Sequence, residues 1–332
     1  MLTTSLCRRL QLRVPVAQAP IGSAASPQLA AAVSDAGALG MLAATWLSQR
    51  ALRERIRRVR QSTDRPFGVN LVLDFPVAEQ LDACLAEGVG IVSTFWGDPA
   101  TVHDRIHAMG AVHLHSVGSV DEARRAVDAG VDVLVAQGWE AGGHVRGAVS
   151  TLVLVPAVVD AVAPLPVIAA GGIADGRGLA AVLALGAQAA WFGTRFLTAT
   201  EAHTHEIYRQ CVIDAAAEDA VYTRCFDGGW PGAPHRALRN ATVDRWEAAG
   251  SPAASHRPGE GEVVAVDVAG RSHVRYEDLI PLPGMHGNLA EMALYAGQSA
   301  ALVRDTRPAA DIIACITAEA AAIINHLPAM PA

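Results

Sequence analysis

A (β/α)8 barrel of the TIM type is the fold class this sequence predicts, and three observations predict it. A helix-like stretch that ends in a small residue and glycine, followed at once by an apolar strand, recurs along the chain. Eight strands of this kind fit within roughly the first 200 residues, the spacing of a barrel of β/α units. Several are continuous apolar runs, such as Val131–Ala136 and Val167–Ala170, which suits a parallel sheet covered by helices. A doubly wound sheet is the alternative that the same pattern allows.

Taken in order, the expected strands are Val16–Ala19, Leu39–Leu42, Gly68–Leu71, Ile91–Thr94, Val112–His115, Asp132–Ala136, Val167–Ala170 and Ala189–Phe192. The glycine stops are Gly37, Gly88, Gly110, Gly130 and Gly186. Each takes the left-handed conformation that ends a helix and lets the next strand begin. Helices are expected between the strands, among them Ser119–Asp128 and Asp175–Leu185, the latter with a carboxylate at its positive end. Ser150-Thr151 reads as the cap of another. Residues 1–225 thus form the barrel. Residues 226–284, rich in Gly, Pro and polar residues, form an inserted, lid-like segment. Residues 285–332 return to helix over Asn288–Val303 and Pro308–His326 and pack back on the barrel.

Composition narrows the function. The chain has 332 residues, 51% hydrophobic and 18% charged, with a net charge of −7, so it supports a globular core and is not built to neutralise a phosphate backbone. No lysine occurs; all 26 basic residues are arginine. That removes Schiff-base chemistry, a Walker A loop and a kinase lysine. The most apolar stretch, Leu152–Ala170, is interrupted by Pro156, Asp160, Pro164 and Pro166, and a membrane span needs about 20 mostly apolar residues. The five cysteines are scattered and form no CxxC pair, as in a reducing cytoplasm. The N-terminus lacks a continuous apolar core and reads as mature protein.

Barrel chemistry sits on the loops after strand C-termini, with a phosphate site commonly after the seventh and eighth strands. The seventh ends in Ala170-Gly171-Gly172-Ile173 and the eighth in Phe192-Gly193-Thr194-Arg195. Their glycines admit backbone N–H groups to phosphate oxygens, and the following helix N-terminus adds its dipole. The loop after the sixth strand, Gln137-Gly138-Trp139-Glu140-Ala141-Gly142-Gly143-His144-Val145-Arg146-Gly147, leaves room for a flat ligand. Histidine ordinarily titrates near neutrality, so His144 suits proton transfer.

Gln137–His144 resembles the signature of the flavin-dependent nitronate monooxygenases. Pro15–Gly22, Phe67–Leu71, Pro166–Ile173, Gly193–Phe196 and Tyr295–Ser299 are similar to further motifs of that family. The resemblance covers most of residues 12–200 and 285–326, and also extends to flavin-type enoyl-ACP reductases with a Glu-Ala-Gly-Gly-His loop. It implies a barrel that holds FMN without a covalent bond. Gly171, Gly172, Gly193 and Thr194 would hold the phosphate, with Phe192 beside them. Asn70, Gln137, Gly142, Gly143 and the backbone of Ala19, Pro20 and Ile21 would contact the ring and ribityl chain. His144 would act as base or electrostatic partner, and Arg146, Tyr295 and Gln298 would meet the substrate.

The activity implied is oxidation of alkyl nitronates, or of nitroalkanes, by O2 to a carbonyl compound and nitrite. The alternatives are an NAD(P)H-dependent enoyl reductase on the same scaffold and a flavin-free phosphosugar enzyme. The expected partners are a small-molecule substrate and O2, without nucleic acid or membrane, with homo-oligomerisation left open.

Other candidates carry less. His113 and His115 on the fifth strand are expected on opposite faces. His203 and His205 lack the further ligands of a metal site, so no metal is expected. Gly37-Ala38-Leu39-Gly40 precedes a strand where a dinucleotide fingerprint would follow one. Trp230 and Trp246 read as packing residues, with a lid role as the alternative, and Tyr295 and Gln298 as neighbours on one helix face.

Overall fold

The computed structural model describes residues 2–326. All eight expected strands are present and parallel: β1 (Val16–Gln18), β2 (Gly40–Ala43), β3 (Phe67–Val72), β4 (Ile91–Phe95), β5 (Val112–Val117), β6 (Val133–Gln137), and, after a two-residue strand β7 (Gly143–His144) in the loop, β8 (Val167–Ala170) and β9 (Ala189–Phe192). The order around the sheet is β1-β9-β8-β6-β5-β4-β3-β2. A parallel bridge between Ala17 and Leu39 joins the two ends, so the barrel is closed.

The glycine stops behave as the sequence predicts. Gly37, Gly88, Gly110, Gly130 and Gly186 all have positive φ. The helices that precede them are α2 (Pro27–Asp35), α4 (Ala78–Ala86), α5 (Ala100–Ala108), α6 (Val120–Asp128) and α8 (Gly176–Ala184), with α1 (Ser5–Arg9) before the first strand and α3 (Gln49–Ser62) after the second. Gly40 has a packing role and no dinucleotide role: a Cβ there would stand 2.0 Å from the Ala30 carbonyl oxygen of α2.

Capping follows local chemistry. Ser26, Ser119 and Asp175 accept hydrogen bonds from the first amides of α2, α6 and α8. Ser150 does not cap α7 (Thr151–Val162) with its side chain. Glu140, eleven residues earlier, accepts from the Thr151 amide and hydroxyl, both at 2.9 Å, so one contact closes the helix and anchors the loop after β6.

Inside the barrel Ala17, Met41, Ile91, Leu114, Val135 and Ile168 form a dry layer, and Leu6, Cys7 and Leu10 from the N-terminal segment pack into the same cluster. Beyond β9 the chain builds a cover. After α9 (Thr194–Leu197) and α10 (Glu206–Asp214), β10 (Ala220–Thr223) pairs with β11 (His235–Leu238), which pairs with β7 of the barrel loop. After α11 (Ala241–Ala248), β12 (Val263–Val266), β13 (Ser272–Val274) and β14 (His286–Gly287) form a second small sheet. The first of these sheets spans the 225/226 boundary read from composition.

The helix expected over Asn288–Val303 is two short 3-10 turns, Leu289–Glu291 and Gln298–Leu302, separated by extended chain. Backbone proximity explains the break: a Cβ at Gly297 would lie 2.6 Å from the Glu140 carbonyl oxygen, so this segment runs against the β6 loop where a helix would not fit. The last helix, α12 (Ala309–His326), forms as expected; residues 327–332 lie outside the described residues. Among the described residues it alone has the length and apolarity of a membrane span. Ile312, Ile313, Ile316 and Ala320 of α12 join the cluster beneath α2 and α8, and Gly176 of α8 meets the Ile316 backbone closely enough to exclude a Cβ.

Candidate functional site

The C-terminal ends of the strands open into a cavity of about 440 Å³. Ala19, Pro20 and Ile21 after β1, Asn70 on β3 and Gln137 on β6 line one part of it. Gln18 holds the first of these turns, with its Oε1 accepting from the Met41 amide at 2.9 Å and its Nε2 donating to the Ala19 carbonyl. Asn70 accepts from Ser93 at 3.0 Å, which leaves its amide N–H groups to donate. Gln137 donates to the His144 carbonyl at 3.1 Å, while its Oε1 is buried without a partner.

Gly171 and Gly172 after β8, and Gly193 and Thr194 after β9, line the adjacent wall. Gly171 and Gly172 have φ of +98° and +71°, a conformation only glycine adopts freely. Among the described residues, no backbone or side-chain acceptor meets the amides of Gly171, Gly172 or Gly193. The helix dipole expected here is engaged elsewhere. The first amides of α8 bond to Asp175 and, at 2.7 Å, to Glu319, so the cradle consists of the loop amides themselves. Thr194 accepts from the Gly297 amide at 2.9 Å, which ties the cradle to the C-terminal segment.

Gly142 and Gly143 differ in role. A Cβ on Gly142 would stand 2.3 Å from the Gly297 nitrogen, whereas Gly143 has φ +71° and open space in front of it. Close backbone packing at the first and a free turn at the second bring His144 to the cavity wall. There His144 Nε2 is buried with no hydrogen-bond partner, and burial drops the imidazole from its ordinary value to about 4. It is a neutral base at neutral pH. Trp230 covers it with ring centroids 4.4 Å apart. Asp278 Oδ2 stands 3.8 Å from Nε2, and Tyr295 donates its hydroxyl to Asp278 Oδ1 at 2.6 Å.

Three expected contacts fall away. Phe192 faces outward and packs with Phe196 in the cluster between barrel and helices; its neighbour Trp191 lines the cavity instead, because successive side chains on a strand take opposite faces. Arg146 is outside the lining. Its guanidinium pairs with Glu122 at 2.8 Å and lies over the Trp96 ring. Gln298 is also outside, and Ser299 takes the place next to it, since the segment is not the helix that would put Tyr295 and Gln298 on one face. Tyr295 does line the cavity, with its hydroxyl committed to Asp278.

His113 and His115 share a face, as residues two apart on a strand must. Both approach the Thr94 hydroxyl at 2.8 Å, with His103 of α5 3.2 Å from His113. Their strand neighbour Leu114 points into the barrel, so this cluster lies on the outer surface of the sheet, away from the cavity. Among the described residues no group of three or more His, Cys, Asp or Glu could hold a metal ion.

The site residues that sequence reasoning did not assign come from both the cover and the barrel. Trp230 and Asp278 belong to residues 226–284, where no motif marks them, although an isolated Trp in a Gly/Pro-rich stretch is a usable signal. Trp46, Phe95 and Ser116 line the cavity from ends of strands or loops whose inward side only the register discloses. Trp246, by contrast, packs as expected and donates to the Pro252 carbonyl at 2.9 Å.

A closed parallel barrel with free glycine amides at two adjacent strand ends and a buried neutral histidine is the build of a cofactor-dependent barrel enzyme. The model of the nitronate monooxygenase family matches residues 4–83 and 73–319, and the chain belongs to that family; it is a flavin-dependent oxidoreductase. Over 249 residues it is 37% identical to the (3aS,4S,5R,7aS)-5-hydroxy-7a-methyl-1-oxo-octahydro-1H-indene-4-carboxyl-CoA dehydrogenase of Mycobacterium tuberculosis, covering 74% of this chain and 69% of that protein. It is 33% identical over 270 residues to a probable nitronate monooxygenase of Staphylococcus aureus (strain Newman), covering 67% and 76%. Among solved structures, FabK from Thermotoga maritima superposes with a TM-score of 0.81 at 31% identity, covering 98% of this chain and 99% of that one. Nitroalkane oxidase from Streptomyces ansochromogenes gives 0.80 at 31% identity, covering 97% and 100%.

Proposed function

We propose that this protein binds FMN and oxidises alkyl nitronates, formed in the site from nitroalkanes, with O2 to a carbonyl compound and nitrite. The observation that carries this reading is His144. It lines a cavity beside free glycine amides, with its side chain only 11% exposed and its imidazole neutral at physiological pH. The residues fit the cofactor. Amides of Gly171, Gly172 and Gly193 suit a phosphate, and the orphaned Gln137 Oε1 suits a ring N–H. When bound, FMN supplies the electron acceptance that this chain's side chains lack.

The protein's own work is binding and proton transfer. Among the described residues no arginine lines the cavity, so they offer no fixed cation to an anionic substrate. A neutral nitroalkane enters such a wall at lower desolvation cost than its anion. His144, as free base, takes its α-proton and leaves the electron pair on the nitro group. Trp230 and the rest of the 226–284 segment act as the cover that keeps water from the reacting carbon. The five cysteines are all free, and the chain is proposed to work in the reducing cytoplasm, on a small molecule and O2.

The test is turnover of nitroethane by the FMN-loaded protein, with nitrite, acetaldehyde and O2 uptake measured together. His144→Ala should retain FMN and lose about 10²-fold or more of the rate on the neutral compound. Full activity in that variant removes the base role. A second reading rests on the Glu140–His144 loop, which is similar to that of flavin-type enoyl-ACP reductases: flavin reduction by NAD(P)H instead of by a nitro compound.

A further inference from the structure

Four groups surround His144, and only one of them is free to answer its unpartnered nitrogen. Trp230 covers the ring face. His235 lies 5.5 Å away between ring centroids, but both its nitrogens are engaged, Nδ1 with the Ala233 carbonyl at 3.0 Å and Nε2 with the Phe226 amide at 3.2 Å. Tyr295 donates to Asp278. That leaves the Asp278 carboxylate. Its Oδ1 is fixed by Tyr295, and its Oδ2 faces His144 Nε2 at 3.8 Å.

This distance is beyond a hydrogen bond, yet a buried ring nitrogen left unpaired costs about 1–3 kcal/mol. Hydrogen bonds of a catalytic group are often long in the unliganded protein and tighten when substrate binds. Asp278 is largely buried, with its side chain 13% exposed. Burial pushes its pKa up, and the Tyr295 hydroxyl draws it back toward the ionised form.

Resting on the proton-abstraction reading above, we propose that Asp278 is the positioning residue for His144. Its carboxylate keeps the proton on Nε2, so Nδ1 carries the lone pair that takes the substrate's α-proton. The C–H bond breaks, its electron pair stays with the nitro compound, the proton bonds to Nδ1, and the resulting imidazolium is held by the Asp278 carboxylate through Nε2–H. Tyr295 fixes the carboxylate from behind. The segment outside the recognisable motifs thereby supplies a partner for the base as well as a cover.

Asp278→Asn tests this, because it keeps the size and the Tyr295 hydrogen bond while turning a donor toward Nε2. That favours the wrong tautomer, a change that lowers kcat by about 10⁴ where an aspartate orients a catalytic histidine in a serine protease. With FMN bound, kcat on nitroethane should fall by about 10²-fold or more, and by at least about tenfold more than turnover of preformed ethylnitronate, which needs no proton removed. Equal losses on both substrates, or no loss on nitroethane, overturn the proposal.

The second readout needs no turnover. Nitrogen-15 NMR of the histidine rings, with His144 assigned from its missing signal in His144→Gln, should show Nε2–H at His144 in the parent and Nδ1–H in Asp278→Asn. Nδ1–H in the parent, or an unchanged tautomer in the variant, overturns the proposal even if Asp278→Asn folds poorly or the parent oxidises no nitro compound. Failure on both nitro substrates with the expected tautomer change refutes only the reading of the reaction.

Discussion

Acid should unfold this protein through its buried histidines, and His113 isolates the effect. It is fully buried on the outer face of β5, against Thr94, His103 and His115, with its amide donating to Asp132 at 2.8 Å. Burial, followed by the neighbouring His115 and His103, lowers its imidazole to about 3. The unfolded chain takes up a proton near pH 6.5 while the folded chain resists until near pH 3, so stability falls as pH drops through this window. Integrated from pH 7 to pH 5, the difference in bound protons is worth about 2 kcal/mol for this one side chain.

His115, His144 and His235, each lowered to about 4 chiefly by burial, act with the same sign. The total therefore reaches a large share of the roughly 5–15 kcal/mol that holds a domain folded. His113→Gln keeps a polar partner for Thr94 and removes the titration. Urea unfolding followed by circular dichroism, at pH 7 and pH 5 in the same FMN-saturated buffer, should show the variant losing about 2 kcal/mol less than the parent between the two pH values. Whatever the substitution costs at pH 7 cancels in that difference. An equal loss in both proteins would refute the reasoning.

Three further outcomes follow from the site. Gly142→Ala places a Cβ 2.3 Å from the Gly297 nitrogen, so it should cost about 1–3 kcal/mol and lower both the melting temperature and flavin retention; an unchanged melt would show that the two loops separate freely. Gly172→Asp puts a carboxylate among the cradle amides, and the purified variant should carry little FMN, as judged by its flavin absorbance; normal flavin content would dismiss the phosphate assignment. Trp230→Ala uncovers His144 and should raise its pKa toward the ordinary value while slowing nitroethane turnover by about tenfold, which NMR titration and steady-state rates measure separately.

Much of the barrel was legible because its signals are local. Glycine at positive φ follows five of the barrel helices and turns the chain into the next strand, at Gly37, Gly88, Gly110, Gly130 and Gly186, whereas α3 and α7 end at Thr63 and Ala163. The glycines at 171, 172 and 193 were legible as short motifs just after two strands, although only Gly171 and Gly172 take positive φ. What was not legible depends on register and on distant contacts. Phe192 and Trp191 exchange roles because one residue of register decides which faces inward. Glu140 caps a helix that Ser150 was expected to cap. Arg146 finds Glu122 across the barrel rim instead of a substrate anion. Gln298 lies in a segment that a backbone approach to Glu140 keeps out of α-helix. Asp278 gains its role only when residues 226–284 fold over the mouth, and no short motif encodes that juxtaposition.

The central claim is that a bound flavin takes electrons from a nitro compound whose proton His144 removes. Anaerobic absorption spectroscopy of the FMN-loaded protein tests it most directly, with nitroethane, ethylnitronate, NADH and NADPH added to separate samples. The account predicts bleaching of the flavin band by ethylnitronate and by nitroethane, with the nitroethane response lost in His144→Ala and the ethylnitronate response kept. Rapid bleaching by NADH or NADPH with neither nitro compound active would contradict it.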